Sequence, residues 1–285
     1  MYFIRRFLVR NSKNARLAIE VAAKSDIGCH REKNEDAFFV DRENGLYVVC
    51  DGMGGHLAGE IASQKAIEYT VDFLDKARNR RIMPTKSDRD FLDVWNRLII
   101  EAIEHCCDEL IKLARSRSEL EGMGTTIVLV VIVEGVAFVG HLGDSRLYLK
   151  NGKIAKQLTS DHTLFAEFAR SNPNWLNSNN SPNAFQRFKH ILTRCVGRIR
   201  NFDVETFSFD LAPGDVLLLC TDGLSNYFQN EELIVDFLDG SKTEIVVESL
   251  VEFAKSNGGD DNITAIVVKI LHDTEPNSGN VGCCG

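Results

Sequence analysis

No apolar run in this chain of 285 residues is long enough to cross a bilayer: the longest aliphatic stretch, IVLVVIV at 127–133, falls far short of a membrane helix. The N-terminal MYFIRRFLVR also lacks an uninterrupted apolar segment of signal-peptide length, so a cytoplasmic protein is expected. The eight cysteines include no C-x-x-C pair and no regular paired spacing, which argues against a zinc site or a disulfide framework. Cys29, Cys50 and Cys220 sit in or beside strand-like runs and read as small hydrophobes in a reducing compartment. A concentrated basic surface is missing too. Lys and Arg number 33 against 41 Asp and Glu, a net charge of -8 that repels a polyanion. The clusters IRRFLVR, ARNRR and RCVGRIR are short and carry no interleaved aromatics, so no nucleic-acid partner is expected. The glycine-rich GMGGHLAG breaks the dinucleotide spacing G-x-G-x-x-G at Leu57, and no Walker lysine follows.

What is present is a soluble α+β pattern. A hydrophobic fraction of 44% and a charged fraction of 26% suit one globular unit with a single core. FFVDRENGLYVVC reads as a hairpin around Asn44-Gly45, whose residues tolerate positive φ. Apolar residues then recur at three- and four-residue spacing from Leu57 to Ala77 and from Phe91 to Leu113, which predicts two amphipathic helices. Strands are expected at Thr125 to Val133, Val136 to Leu142, Arg146 to Lys150 and Ile154 to Leu158. Consecutive hairpins give antiparallel sheets, and an apolar sheet face must be covered, so two packed sheets flanked by helices are the economical solution. Asp161 to Ser171 is predicted helical; the SNPNWLNSNNSPN that follows has no period, and 160–192 reads as a flap. Shorter helices follow Asn230 and Thr243. The expected organisation is an N-terminal extension at 1–20, one domain at 21–272 and a flexible tail at 273–285 that includes Cys283 and Cys284.

Four aspartates stand at the ends of the apolar runs: Asp51 after LYVVC, Asp144 after VAFVGHLG, Asp222 after VLLLCT and Asp261 before NITAIVVKI. A carboxylate at a strand end reaches solvent from a rigid backbone, and several together repel unless cations neutralise them. Oxygen-only ligands select hard ions such as Mg²⁺ or Mn²⁺. Two such ions sharing a carboxylate can activate a bridging water and clamp both oxygens of an in-line displacement on a phosphate ester. Arg31, five residues before Asp36, has the fork geometry for a phosphate.

Eight segments carry a resemblance: SDIGCHREKNEDAFFV, VVCDGMGGHLAGEIAS, GMGTTIVLVVI, FVGHLGDSRLYL, LTSDHT, LTRCVG, GDVLLLCTDGLSN and GGDDNITAIVV. In this order, over Ser25 to Ile270, they resemble the metal-dependent Ser/Thr protein phosphatases of the type 2C (PPM) family, in their bacterial branch. The resemblance implies a central antiparallel β-sandwich with helices on both faces, four layers in the order α-β-β-α. It implies that Asp51 bridges two metals, that the Gly52 carbonyl completes the second, and that Asp222 and Asp261 hold the first. Glu35 and Asp36 then bind metal waters, Asp144 with Asp222 holds a third, weaker ion, Arg31 binds phosphate, and Asn262 orients Asp261. Where the eukaryotic branch has a histidine after Asp-Gly, this chain has Met53, so His56 or a metal-bound water is the candidate acid. The implied partners are phosphorylated Ser/Thr proteins and a cognate kinase of opposite sense, and the chain itself is expected to be a monomer. A cysteine-dependent phosphatase is excluded, because Cys195 has Asn201, not Arg, six positions on. The remaining alternative is a catalytically weak phosphoprotein-binding module of the same fold, which would have lost a metal ligand.

Overall fold

The computed structural model describes residues 7–9, 17–55, 57–80, 83–172, 188–198 and 203–272. His56, the tail 273–285 and 173–187 of the expected flap lie outside the described residues. The strands form two antiparallel sheets. The first runs in the order β1 (Phe7–Val9), β2 (Leu17–Asp26), β12 (Ile263–His272), β11 (Val216–Cys220), β8 (Arg146–Asn151) and β9 (Ile154–Gln157). In the second the order is β10 (Glu205–Asp210), β7 (Val136–Leu142), β6 (Ile127–Val133), β4 (Leu46–Met53) and β3 (Asp36–Asp41), with β5 (Gly124–Thr125) beside β4.

Strand periodicity explains why these runs are continuously apolar instead of alternating. Along β6, Ile127, Leu129 and Val131 pack toward helices α1 (Leu57–Asn79) and α2 (Phe91–Ser116), while Val128, Val130 and Ile132 pack between the sheets. Along β11 the same division sends Leu217 and Leu219 to the inter-sheet core. Val216, Leu218 and Cys220 instead face α5 (Glu231–Leu238) and α6 (Thr243–Ser256). Both faces of the central strands are therefore buried, which is the four-layer α-β-β-α arrangement expected. Two shorter helices, α3 (Leu164–Ser171) and α4 (Asp222–Ser225), stand at the end of the sandwich where the aspartates gather. Thr163 caps α3 by accepting from the Ala166 N–H at 3.2 Å, so that helix starts three residues after Asp161. Among the described residues no helix is long and apolar enough to cross a membrane.

Three strands lie where the sequence suggested none, the first being β1, which pairs with β2 from Phe7↔Ile19 to Val9↔Leu17. β2 begins at Leu17, inside the expected extension, and pairs with β12 from Leu17↔His272 to Asp26↔Ile263. Glu20 and Lys24 interrupt its apolar pattern, but both charges are satisfied at the surface: Glu20 accepts from the Thr243 N–H at 2.8 Å, and Lys24 pairs with Glu248 at 2.6 Å. β10 is an edge strand of half-buried residues that pairs with β7 along its whole length, Glu205↔His141 to Asp210↔Val136.

The approach of α2 to the second sheet depends on Gly140 of β7. A Cβ there would overlap Ile99 and stand 2.7 Å from Ile103 Cδ1, two residues with no solvent exposure. Gly140→Ala is expected to destabilise the fold by about 1–3 kcal/mol through overpacking. Urea unfolding followed by circular dichroism measures this; a midpoint equal to that of the unsubstituted protein would show that α2 retreats at no cost.

Candidate active site

Both sheets deliver carboxylates to one end of the sandwich. Asp51 lies near the end of β4, directly opposite Asp36, the first residue of β3. Asp144 occupies the β7–β8 turn, Asp222 opens α4 immediately after β11, and Asp261 precedes β12. Asp51, Asp144, Asp222 and Asp261 line a cleft of about 1060 Å³ together with Arg31, Glu35, Gly52 and the run from Lys189 to Thr193. Asp36 does not reach the cleft wall. Its Oδ2 accepts from the hydroxyls of Thr264 at 2.6 Å and Thr221 at 2.9 Å, while its Oδ1 is buried with no hydrogen-bond partner among the described residues.

The backbone around each acid is fixed by short polar contacts. The Asp51 N–H donates to Thr126 Oγ1 at 2.9 Å, and its carbonyl accepts from the Thr126 N–H at 2.9 Å and from Thr125 Oγ1 at 2.8 Å. Asn262, 4% exposed, holds the loop that carries Arg31 and Glu35. Its Oδ1 accepts from the Glu35 N–H at 2.8 Å, and its Nδ2 donates to the carbonyls of Ile27 at 3.0 Å and Lys33 at 2.9 Å. Gly52 is required by closeness, because a Cβ would overlap the Gly59 carbonyl and stand 2.6 Å from that of Glu35. Arg31 Nη2 donates to Asp261 Oδ2 at 2.6 Å from a half-exposed position, which leaves further guanidinium N–H groups for an anion.

The electrostatics are those of a cation site. Burial first, and then Asp36, Asp222, Asp144 and Asp261 in turn, raise the Asp51 carboxyl well above its ordinary value. Burial followed by Asp222 and Asp161 pushes Asp144 up to about 8. Burial, opposed by the two threonine hydroxyls and reinforced by Asp222 and Asp261, brings Asp36 to about 7. Asp261 is raised as well, chiefly by burial. Asp222 Oδ1, like Asp36 Oδ1, is a buried oxygen without a hydrogen-bond partner among the described residues. Crowded carboxylates, orphaned oxygens and an all-oxygen donor set fit hard divalent ions.

A sequence model of the family described as protein phosphatase 2C matches residues 30–262. The chain belongs to the protein phosphatase 2C family. Among its relatives, the serine/threonine phosphatase stp of Listeria monocytogenes is 32% identical over 250 residues, spanning 86% of this chain and 94% of that protein. The structure is similar to that of the S. agalactiae serine/threonine phosphatase, with a TM-score of 0.75 at 29% identity, covering 88% of this chain and 99% of that one. It is also similar to the catalytic domain of the phosphatase PstP in complex with two manganese ions, with a TM-score of 0.71 at 27% identity over 90% and 99% of the two chains.

Against this phosphatase 2C background, the cleft gathers Arg31, Glu35, Asp51, Gly52, Asp144, Asp222 and Asp261, with Asp36 buried beside them. It also gathers residues that no motif singles out. His190 brings Nδ1 to 3.4 Å from Asp222 Oδ2, a contact that raises its pKa, yet it comes from the insertion whose composition has no period. Thr126, whose hydroxyl serves the Asp51 N–H, lies in GMGTTIVLVVI, a segment that carries the resemblance without assigning its threonines a role.

The raised carboxyls give a definite sign to the pH dependence of the metal-free protein. Where the folded pKa exceeds the unfolded one, the folded state holds the extra protons, so stability is present at low pH and lost as pH rises through the folded values. For Asp36 and Asp144 that window runs up to about 7 and about 8. In EDTA the melting temperature is expected to fall by several degrees between pH ~6.5 and ~8.5, above the ordinary histidine value, and Mn²⁺ is expected to abolish the fall. A melting temperature that rises over this range without metal would refute the electrostatic account.

Proposed function

We propose that this phosphatase 2C chain hydrolyses phosphoserine and phosphothreonine in proteins, with two divalent ions, Mn²⁺ or Mg²⁺, as cofactors. The observation that carries the reading is the convergence of Asp51, Asp222 and Asp261 from both sheets on one cleft, with Asp222 Oδ1 buried and without a hydrogen-bond partner among the described residues. When bound, the ions supply Lewis acidity, acidifying water and neutralising charge on the phosphoryl oxygens. The chain's own part is to hold and orient. Asp51 and the Gly52 carbonyl, on the rigid end of β4, face Asp222 and Asp261 across the sandwich and fix the ion positions relative to Arg31. The Arg31 fork, which stands beside Asp261, would bind the phosphate with its remaining N–H groups, and Asn262 holds the loop on which that fork stands. Asp144 is the ligand of a third, weaker ion, shared with Asp222. Glu35, on the cleft wall, would accept hydrogen bonds from water held by the ions, and Asp36, buried behind that wall, would do so through its unpartnered Oδ1. His56, the candidate acid nearest Asp-Gly, lies outside the described residues.

The substrates are phosphorylated Ser/Thr proteins, and the opposing activity is a Ser/Thr kinase. A phosphoprotein-binding module without turnover would need a missing carboxylate, and each expected aspartate is in place.

Phosphate release from a phosphothreonine peptide is expected with Mn²⁺ or Mg²⁺ and is expected to stop in EDTA. Asp51→Asn and Asp222→Asn should reduce turnover to background while the protein still melts cooperatively, since each removes a ligand and little apolar burial. Full turnover in either purified variant would overturn that ligand assignment. Arg31→Ala is expected to raise KM for phosphopeptide by ~10-fold or more with a smaller effect on kcat, because ground-state and transition-state phosphate are both held there. A fall in kcat at constant KM would contradict it.

A further inference from the structure

Behind the turn that carries Asp144 lies a cluster of titratable side chains that metal binding does not use. His141 of β7 is fully buried, His162 is 2% exposed, and Glu205 of β10 lies between them. Glu205 Oε2 is 2.8 Å from His141 Nδ1 and 3.9 Å from His162 Nε2, and it accepts from the Ser160 N–H at 3.1 Å. The two imidazoles stack at 4.7 Å with an interplanar angle of 24°. His162 in turn meets Gly143 twice: the Gly143 N–H donates to His162 Nδ1 at 3.1 Å, and the His162 N–H donates to the Gly143 carbonyl at 2.8 Å. Gly143 sits at φ +114, where side chains are strained, and a Cβ would stand 2.5 Å from Thr126 Cγ2.

Three ligand-type atoms within 4.8 Å of one another have the spacing of a metal site, but the hydrogen bonds exclude one. A backbone N–H can only donate, so His162 Nδ1 is the bare nitrogen and the ring proton sits on Nε2, toward Glu205. Ligation through Nε2 would move that proton to Nδ1, against the Gly143 N–H. The near-parallel rings, moreover, cannot both point a lone pair at one ion. Burial first, then His141 and Arg194, holds His162 down to about 3, consistent with a neutral ring.

We infer that His162 is a positioning residue for Asp144: its bare Nδ1 and its backbone N–H clamp Gly143, and the Glu205 carboxylate, held by His141 and 3.9 Å from His162 Nε2, favours the proton on Nε2 by its charge. The inference rests on the reading of Asp144 as a ligand of the third, weaker ion. The clamp also joins that ligand to the base of the flap. The His162 carbonyl accepts from the Thr193 N–H at 2.9 Å, and Thr163 bridges to Leu192, so both ends of the segment 163–192 are fastened beside Gly143.

Mn²⁺ titration of the metal-free full chain, with free Mn²⁺ followed by electron paramagnetic resonance and heat by calorimetry, tests this. Two tight events and one weaker event are expected, with the weak one lost in Asp144→Asn. His162→Leu should weaken that event ~10–100-fold and leave the tight ones in place, as removal of a partner that orients a ligand does. His162→Asn, whose Oδ1 can still accept from the Gly143 N–H, should restore most of it. Should His162→Leu lack a cooperative melt, Glu205→Gln carries the test with the same expected weakening. Loss of the weak event in Asp144→Asn with no change in the His162 or Glu205 variants overturns the clamp alone. A weak event absent from the unsubstituted protein, or intact in Asp144→Asn, overturns the ligand reading and the clamp with it. Independently, nitrogen-15 NMR of the metal-free protein should show His162 protonated at Nε2 and bare at Nδ1, and the opposite tautomer would refute the clamp.

Discussion

Like charges held together in a poorly solvated cleft are the constraint around which this molecule is built. Two carboxylates ~5 Å apart repel by about 3 kcal/mol at an effective dielectric of ~20, and an unsupported loop would simply move them apart. Here Asp36, Asp51, Asp222 and Asp261 are anchored to strands β3, β4, β11 and β12, and Asp144 to the turn between β7 and β8. The central strands bury apolar residues on both faces, Leu217 and Leu219 on one side of β11 and Leu218 on the other. Sliding one strand to relieve repulsion would force each row of such side chains into the other core, where its shapes do not fit, so the core imposes the crowding and the crowding creates the demand for cations.

Hydroxyl groups transmit that rigidity across the sandwich. Asp36 belongs to the second sheet, yet its Oδ2 is held by Thr221 and Thr264, which stand on the strands of the first. Ser25 extends the chain, with its Oγ 2.8 Å from Thr264 Oγ1. On the other side of the cleft, Thr126 serves the Asp51 N–H and lies 2.7 Å from Ser145 Oγ, next to Asp144. Short hydroxyls suit this position because they donate or accept as the acid requires and add no charge of their own.

What could be read in the sequence was whatever is local. The aspartates announce themselves because each closes an apolar run of strand length, and the helices α1 and α2 because their apolar stripe repeats over many turns. β2 and β10 were illegible for the opposite reason. Glu20 and Lys24 break the first, and the second offers only the alternating Phe207 and Phe209 on an exposed edge. Least legible were the contacts whose partners are far apart in the chain. Nothing in LTSDHT tells that His162 would meet Gly143, 19 residues earlier, or that His141 would meet Glu205, 64 residues later. Such pairings are created by strand register, here the β7–β10 ladder, and exist only once the sheet has formed.

That difference separates the carboxylates proposed as ligands into two groups. Asp51 lies on β4, and Asp222 and Asp261 stand within two residues of β11 and β12. Asp144 follows a glycine at φ +114, a residue without intrinsic preference for its conformation, held by a histidine at the base of the flap. The Thr193 N–H connects to Gly143 through two hydrogen bonds, the first to the His162 carbonyl and the second from the His162 N–H, and the same segment meets Asp222 directly, with His190 Nδ1 3.4 Å from its Oδ2. Asp144 is thus tied to the segment 188–193 through Gly143 and His162, and Asp222 through His190, whereas the Asp51 backbone is held by Thr125 and Thr126.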